Sequence, residues 1–466
     1  MSHAKKDTAP TRETAVLHRS LTSLPHHVVS ASGSSLTLAN GRKILDSCGG
    51  AAVAVIDYGN AEVIEAAVAQ MHKVSYVHTM NYTTNAAEEL ARCILEPHPS
   101  SPNFDHGLKK AYFVGSGSEV NDAALKFMKQ YWVERGEPQR KVYVARRQAY
   151  HGGTIGAMSI SGMPARKAPY DGIMMPNVEF VSAADAFHLK GEDETEPEFV
   201  TRLVKEIEEL FERIGAENII SFTGETVSGA ALGAMPAPKG YWPAVRALCD
   251  KHGIILHLDE VMCGMGRTGT YFAFEKEGIK PDVVTIGKAL SSGYAPSSAM
   301  LVNDKMLDVF RRGTASFNHG HTFQSHPMCC ATVLKVQQII KREQLVERCA
   351  EKGEQLAKLL QDAFDGAEYV ADIRGRGLLR SVEFMLDPRT KTPFPKDTAF
   401  GANVQLAAFD LGVAVYLGSG TVDGIVGDHV LVSPQYTVSD KELEITVWAL
   451  KKAYEKTVAG LYKAKL

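Results

Sequence analysis

Short runs of β-branched and aliphatic residues recur through the middle of the chain, near 111–115, 141–145, 177–181, 218–223, 254–258, 283–286 and 298–302. Runs of this length, closed by Gly, Asp or Asn, read as buried strands. Between them lie stretches with apolar residues every three or four positions, such as 198–214 and 242–252. Those read as amphipathic helices. Strands that alternate with helices predict an α/β fold, a mostly parallel seven-stranded sheet covered by helices on both faces. Beyond it the pattern predicts a long helix over 327–363 and helical segments at 397–411 and 439–457. Near the start, 35–46 alternates in hydrophobicity around Asn40-Gly41, the signature of a hairpin. The division expected is an N-terminal segment, 1–65, that joins a small domain, a large domain over 66–325, and a C-terminal small α+β domain over 326–466. A chain of 466 residues is too long for one simple core, so more than one domain is required. The acidic stretch 185–200 reads as a solvated loop with no partner role.

Two strand ends carry chemistry. The run Val283 to Ile286 leads through Gly287 into Lys288, and the run Ile254 to Leu258 leads into Asp259. They are separated by about one strand–connection–strand unit. If the strands are neighbours, an amine and an acid meet at the sheet edge where open α/β sheets bind ligands. An amine able to form an imine, with a carboxylate to hold a pyridinium nitrogen, is what pyridoxal phosphate (PLP) requires. A third segment, Val114-Gly115-Ser116-Gly117-Ser118-Glu119, runs from a strand through glycines into a helix. Backbone N–H groups at such a helix start favour a phosphate. Each feature has an ordinary reading when taken alone: a surfacing lysine, an acidic helix cap, and a helix N-capped by Ser118. Tyr150, at the exit of the 141–145 strand, is placed to stack on a flat ring or to plug the glycine-rich turn behind it. His151 has no partner at metal-ligand spacing, and no zinc pattern occurs among the Cys and His residues. The segment 317–327 is a histidine-rich loop.

In these blocks the chain resembles the class III (ω-amino) aminotransferases of PLP fold type I. The resemblance is carried by Gly-Ser-Gly-Ser-Glu at 115–119, Tyr-His-Gly-Gly at 150–153, Gly-Glu-Thr-Val-Ser-Gly at 224–229 and Leu-Asp-Glu-Val at 258–261. Ile-Gly-Lys-Ala-Leu at 286–290, His-Gly-His-Thr-Phe at 319–323 and Arg-Gly-Arg-Gly-Leu at 374–378 follow in the family's order. It implies PLP as cofactor, with Lys288 as the Schiff-base lysine and proton shuttle and Asp259 holding the ring nitrogen protonated. Val261 and Tyr150 would cover the two ring faces, and Gly117 and Ser118 would bind the phosphate. Thr322 would reach the phosphate of a second subunit, giving a homodimer with shared sites. Tyr58, in the small apolar segment 48–59, and Glu225 would stand near the substrate. The reaction implied is transfer of an amino group from a primary (ω-type) amine to a keto acid such as pyruvate, in ping-pong fashion. A decarboxylase or aminomutase of the same fold is the alternative. A non-catalytic scaffold is weighed third, and the presence of both Lys288 and Asp259 argues against it.

The chain departs from the family at Thr226 and Ser433, where prolines are usual. It departs also over 416–429, where no arginine precedes Gly427-Asp428-His429 to receive a substrate carboxylate. That points to a donor without an α-carboxylate. Arg374 and Arg376 are the tempting substitutes, but tying a turn between domains is their ordinary reading. A net charge of −3 gives no reason to invoke nucleic acid. No stretch of bilayer-spanning length is free of charge. The N-terminal residues lack an apolar signal core and read as an arm-like lead. Seven unpatterned cysteines suit a reducing compartment, the cytoplasm. No Gly-x-Gly-x-x-Gly follows the first strand of the sheet, which disfavours a dinucleotide-dependent dehydrogenase.

Overall fold

The computed structural model describes residues 14–464; the arm-like lead expected at residues 1–13 lies outside them. Seven strands build the large sheet: β1 (Leu108–Val114), β2 (Val142–Arg146), β3 (Val178–Val181), β4 (Ile219–Glu225), β5 (Ile255–Asp259), β6 (Val283–Ile286) and β7 (Ser298–Asn303). Their order across the sheet is β1-β7-β6-β5-β4-β2-β3. All neighbours run parallel except β7, which is antiparallel to both β1 and β6.

Alternate residues of the strands enter different cores. Val144, Phe222, Leu256 and Val284 join one buried cluster, while Tyr143, Ala145, Ile220, Ile255 and Val283 join another. A strand with two buried faces cannot carry a polar side, which is why these runs read as continuously apolar. Each fully buried aliphatic or aromatic side chain contributes roughly 1.5–3 kcal/mol.

Both chain ends build the smaller part. Lys43–Asp46 belongs to a four-stranded sheet and pairs in parallel with Val413–Ala414, Leu45 opposite Val413. The hairpin over 35–46 forms, Leu36 opposite Ile44, with Gly41 at φ +83° in its turn. A second, antiparallel sheet takes Val370–Arg376, Leu379–Phe384, Asp428–Val432 and Tyr416–Ser419. Arg267 holds the parts together from a fully buried position. Its guanidinium donates to the carbonyls of Pro434 at 2.6 Å and Ala54 at 3.0 Å and lies over the Tyr436 ring.

Two expectations need correction. The pattern over 327–363 is two helices, Pro327–Arg342 and Leu345–Phe364. They are broken at Gln344, whose φ of +51° no helix tolerates. The stretch 185–200 is not simply a solvated loop. Asp185 is fully buried, because His188, on the short helix Ala186–Leu189, bridges it at 2.6 Å to Glu383 at 3.0 Å. Among the described residues no helix is long and apolar enough to cross a membrane.

Candidate active site

The carboxyl ends of β4, β5 and β6 lie in register, with Glu225 opposite Asp259 and Asp259 opposite Thr285. Lys288 follows β6 after Gly287 and opens a tight turn in which the N–H of Ser291 donates to the Lys288 carbonyl at 3.1 Å. Its φ of +45° lies in the left-handed region, which costs a non-glycine residue about 1–3 kcal/mol and persists only where the surroundings impose it. The amine and the acid thus stand at the ends of adjacent parallel strands, in the wall of one cavity of about 590 Å³.

Asp259 is almost completely buried and thoroughly hydrogen-bonded. Its Oδ2 accepts from His151 Nδ1 at 2.7 Å and from Asn121 Nδ2 at 2.9 Å, and its Oδ1 accepts from the Val261 N–H at 3.0 Å. Burial pushes the carboxyl up, but the His151 hydrogen bond and charge, with the Val261 N–H, outweigh it and hold Asp259 below the usual carboxylate range. Asn121 is itself held, since its Oδ1 accepts from Thr285 Oγ1 at 2.9 Å. Glu225 moves the other way: burial raises it, and the nearby Asp259 charge adds to the rise. Burial lowers the Lys288 ammonium to about 8, the charges of Glu225 and Asp259 working against that fall. An amine so poised is a competent nucleophile near neutrality.

The second wall is the start of the helix Gly117–Glu134. Ser116, not Ser118, is its N-cap, accepting from the Glu119 N–H at 3.2 Å. Ser118 instead accepts from the Gly153 N–H at 2.9 Å and so joins the helix start to the Tyr150–Gly153 turn. A Cβ on Gly117 would sit 2.8 Å from Val261 Cγ1, which is why only glycine fits there. The Ser116 cap takes up the Glu119 N–H, which leaves the backbone N–H groups of Gly117 and Ser118 without a hydrogen-bond partner among the described residues. Gly117, Ser118, Val261 and Tyr150 all line the cavity. Tyr150 is 37% exposed, and its backbone N–H donates to Glu225 Oε1 at 3.2 Å.

These residues suit PLP. The cradle offers backbone donors and a helix start to a phosphate, Tyr150 and Val261 offer ring-facing surfaces, and the charged Asp259 retains acceptor capacity for a ring N–H. Tyr58 and Thr322 stand elsewhere. The Tyr58 hydroxyl donates to Asp46 at 2.6 Å, and its segment sends Ala51 and Val53 to the cavity instead. Thr322 is exposed, with its carbonyl accepting from Tyr76 at 3.0 Å. Arg374 is buried against Glu383 at 2.5 Å and Asp372 at 2.8 Å, and Arg376 pairs with Glu277; neither lines the cavity. Ser433, where the family's proline is replaced, donates to the Cys48 carbonyl, and Thr226 donates to the buried Glu260.

Sequence reasoning missed three residues. His151 and Asn121 secure Asp259 from positions 108 and 138 residues away. Arg166 lines the cavity with its guanidinium carbon 4.9 Å from the Tyr150 ring centre. The pointer available was position alone: a histidine beside Tyr150, and an asparagine one turn into the helix that starts at Gly117.

A family model described as aminotransferase class-III matches residues 16–454. An uncharacterised aminotransferase of Schizosaccharomyces pombe is 42% identical over 94% of this chain and 94% of its own. An (S)-enantioselective omega-transaminase from Thermomicrobium roseum superposes with a TM-score of 0.83 at 34% identity, over 93% of each chain. The omega-transaminase of Pseudomonas jessenii, solved in complex with PMP, superposes with a TM-score of 0.85 at 29% identity, again over 93% of each chain.

Proposed function

The chain belongs to the class III aminotransferases, and we propose that it takes the amino group of a primary amine and delivers it to a keto acid such as pyruvate. The observation that carries this reading is the one cavity lined by Lys288, Asp259 and the helix start at Gly117 and Ser118. The exchange balances as two half-reactions. A primary amine leaves as a carbonyl compound, a keto acid leaves as an amino acid, and one amino group and one carbonyl oxygen change places.

PLP, when bound, supplies a protonated ring that takes up the electron pair released at the substrate carbon. Asp259 keeps the ring nitrogen protonated, because its own charge is secured by His151, Asn121 and the Val261 N–H. Lys288 carries the proton off the substrate carbon and returns it. Its lowered basicity near 8 matches a group that both takes and gives a proton near neutral pH. Gly117 and Ser118 hold the phosphate end, and Tyr150 and Val261 confine the ring. The proposed order is ping-pong, with the two substrates using the one cavity in turn.

The proposed donor is an amine whose reacting carbon bears no carboxylate. The stretch 416–429 holds no arginine, and much of the cavity wall is small and apolar, as at Ala51, Val53, Ala230 and Ala231. The proposed assembly is a homodimer in the cytoplasm, where the seven thiols stay reduced, with Thr322 completing the partner's phosphate site. Its support is the apolar surface around Thr322: Phe323 is 68% exposed and packs on the exposed Tyr76. The test is a donor–acceptor panel on purified holoenzyme. It should give carbonyl product and amino acid in equal amounts, with no release of carbon dioxide. With pyruvate as acceptor, an ω-amine should exceed an α-amino acid of similar size in kcat/KM. An α-amino acid ahead by more than about tenfold, roughly 1.4 kcal/mol, would contradict the donor assignment.

A further inference from the structure

A keto acid brings a carboxylate into a cavity that already holds Asp259 and Glu225. Burying that charge without a cation is costly. Lys288 is committed to the cofactor. Glu225 is committed as well: its oxygens accept from the N–H groups of Gly229 at 2.7 Å and Tyr150 at 3.2 Å. Two other cations line the cavity, Arg166 and Arg19, and among the described residues neither is paired with a carboxylate.

Arg166 is the better placed. It is exposed and belongs to the short helix Pro164–Lys167, whose flanking residues are held by neighbouring segments. Lys167 turns inward, donating to the Ser159 carbonyl at 2.8 Å and lying over the Phe180 ring. Pro164 abuts Gly424, where a Cβ would come within 2.7 Å of the proline ring. The loop that carries Gly424 is fixed in turn by Gln148, whose amide donates to the Thr421 carbonyl at 2.6 Å. With its neighbours held, Arg166 is directed to the face of Tyr150, 4.9 Å from the ring centre. Contact with an aromatic face restrains a guanidinium while leaving its N–H edge free. That edge matches a carboxylate in bidentate fashion.

We propose that Arg166 is the residue that receives the carboxylate of the keto-acid acceptor. The proposal rests on the transamination reading above, and it explains how a cavity without an arginine in 416–429 accepts both kinds of substrate. Amines pair with the apolar wall, and keto acids pair with Arg166 across Tyr150. Arg166 thereby sets acceptor specificity and takes no part in proton transfer.

The experiment uses holoenzyme and the variants Arg166→Leu, Arg166→Lys and Arg19→Leu. Calorimetric titration with propionate, a carboxylate that cannot react, reads the anion site apart from turnover. Rates of the acceptor half-reaction are compared for pyruvate and for propanal, which lacks the carboxylate. Arg166→Leu should weaken propionate binding and kcat/KM for pyruvate by roughly 10- to 150-fold, the range for losing a charged hydrogen-bond partner. Propanal should change by less than about twofold, and Arg166→Lys should recover part of the loss with pyruvate. Unchanged propionate affinity in Arg166→Leu, or no propionate binding by the unmodified enzyme, overturns the proposal. So does an equal loss with pyruvate and propanal, which would assign Arg166 only the support of Tyr150, or a loss that appears in Arg19→Leu instead. If propionate binding depends on Arg166 but no amine is converted, the carboxylate site stands and the transamination reading fails.

Discussion

Replacing His151 with leucine removes one of three hydrogen bonds to Asp259 and leaves the buried carboxylate with Asn121 and the Val261 N–H. The lost bond is short, 2.7 Å, and both side chains are almost wholly buried. A hydrogen bond to a charged group is worth about 1.5–3 kcal/mol, and one pKa unit corresponds to about 1.36 kcal/mol. Asp259 should therefore rise by about one to two units, because burial still pushes it up and its largest opposing influence is gone. The sign is definite. Asp259 must be ionised to hold the ring nitrogen protonated, so activity is present above its pKa and lost as pH falls through it. In the unmodified enzyme that loss lies below the usual carboxylate range; in the variant it moves toward neutrality. The assay is the pH dependence of kcat/KM for the amine half-reaction, with circular dichroism to show that the fold is kept. An acid limb in the same place would refute the argument that His151 secures the charge of Asp259.

Three further outcomes are expected. Gly117→Ala puts a Cβ 2.8 Å from Val261 Cγ1 and should lower unfolding stability by about 1–3 kcal/mol through overpacking; denaturant titration reads this, and alanine does not weaken the helix itself. Covalent capture of PLP by apoenzyme requires the neutral Lys288 amine, which burial brings to about 8. The capture rate should therefore fall about tenfold per pH unit below that point and level off above it; a half-point near the ordinary lysine value would contradict the reading. Arg374→Met strands the buried Glu383, which Arg374 and His188 hold at about 2 against the upward push of burial. It should lower unfolding stability by about 3–5 kcal/mol in denaturant titrations.

The central strands of the large sheet were legible because they are buried on both faces, so β-branched runs such as Val283 to Ile286 carry no competing helical period. Lys288 and Asp259 were legible for a related reason: a charged residue that ends a fully apolar strand demands an explanation. The partners of Asp259 were not. Asn121 and His151 reach it from other elements, and nothing local in either segment announces a buried acid. Arg166 was hidden by its setting, since Met163-Pro164-Ala165-Arg166-Lys167 reads as an ordinary surface turn until Tyr150 is placed beneath it. The break at Gln344 lacks the glycine or proline that would mark it, and it was read through as helix. Around Asp185, an acidic composition concealed a buried pair with His188, because charge runs are usually solvated.

The central claim is that Lys288 is the amine that holds the cofactor, and one labelling measurement addresses it directly. Holoenzyme reduced with borohydride, digested and mapped by mass spectrometry should carry one pyridoxyl group per chain, on the peptide that contains Lys288. A pyridoxyl group on another lysine, or none after reduction of a protein that binds PLP and turns over, would contradict the account.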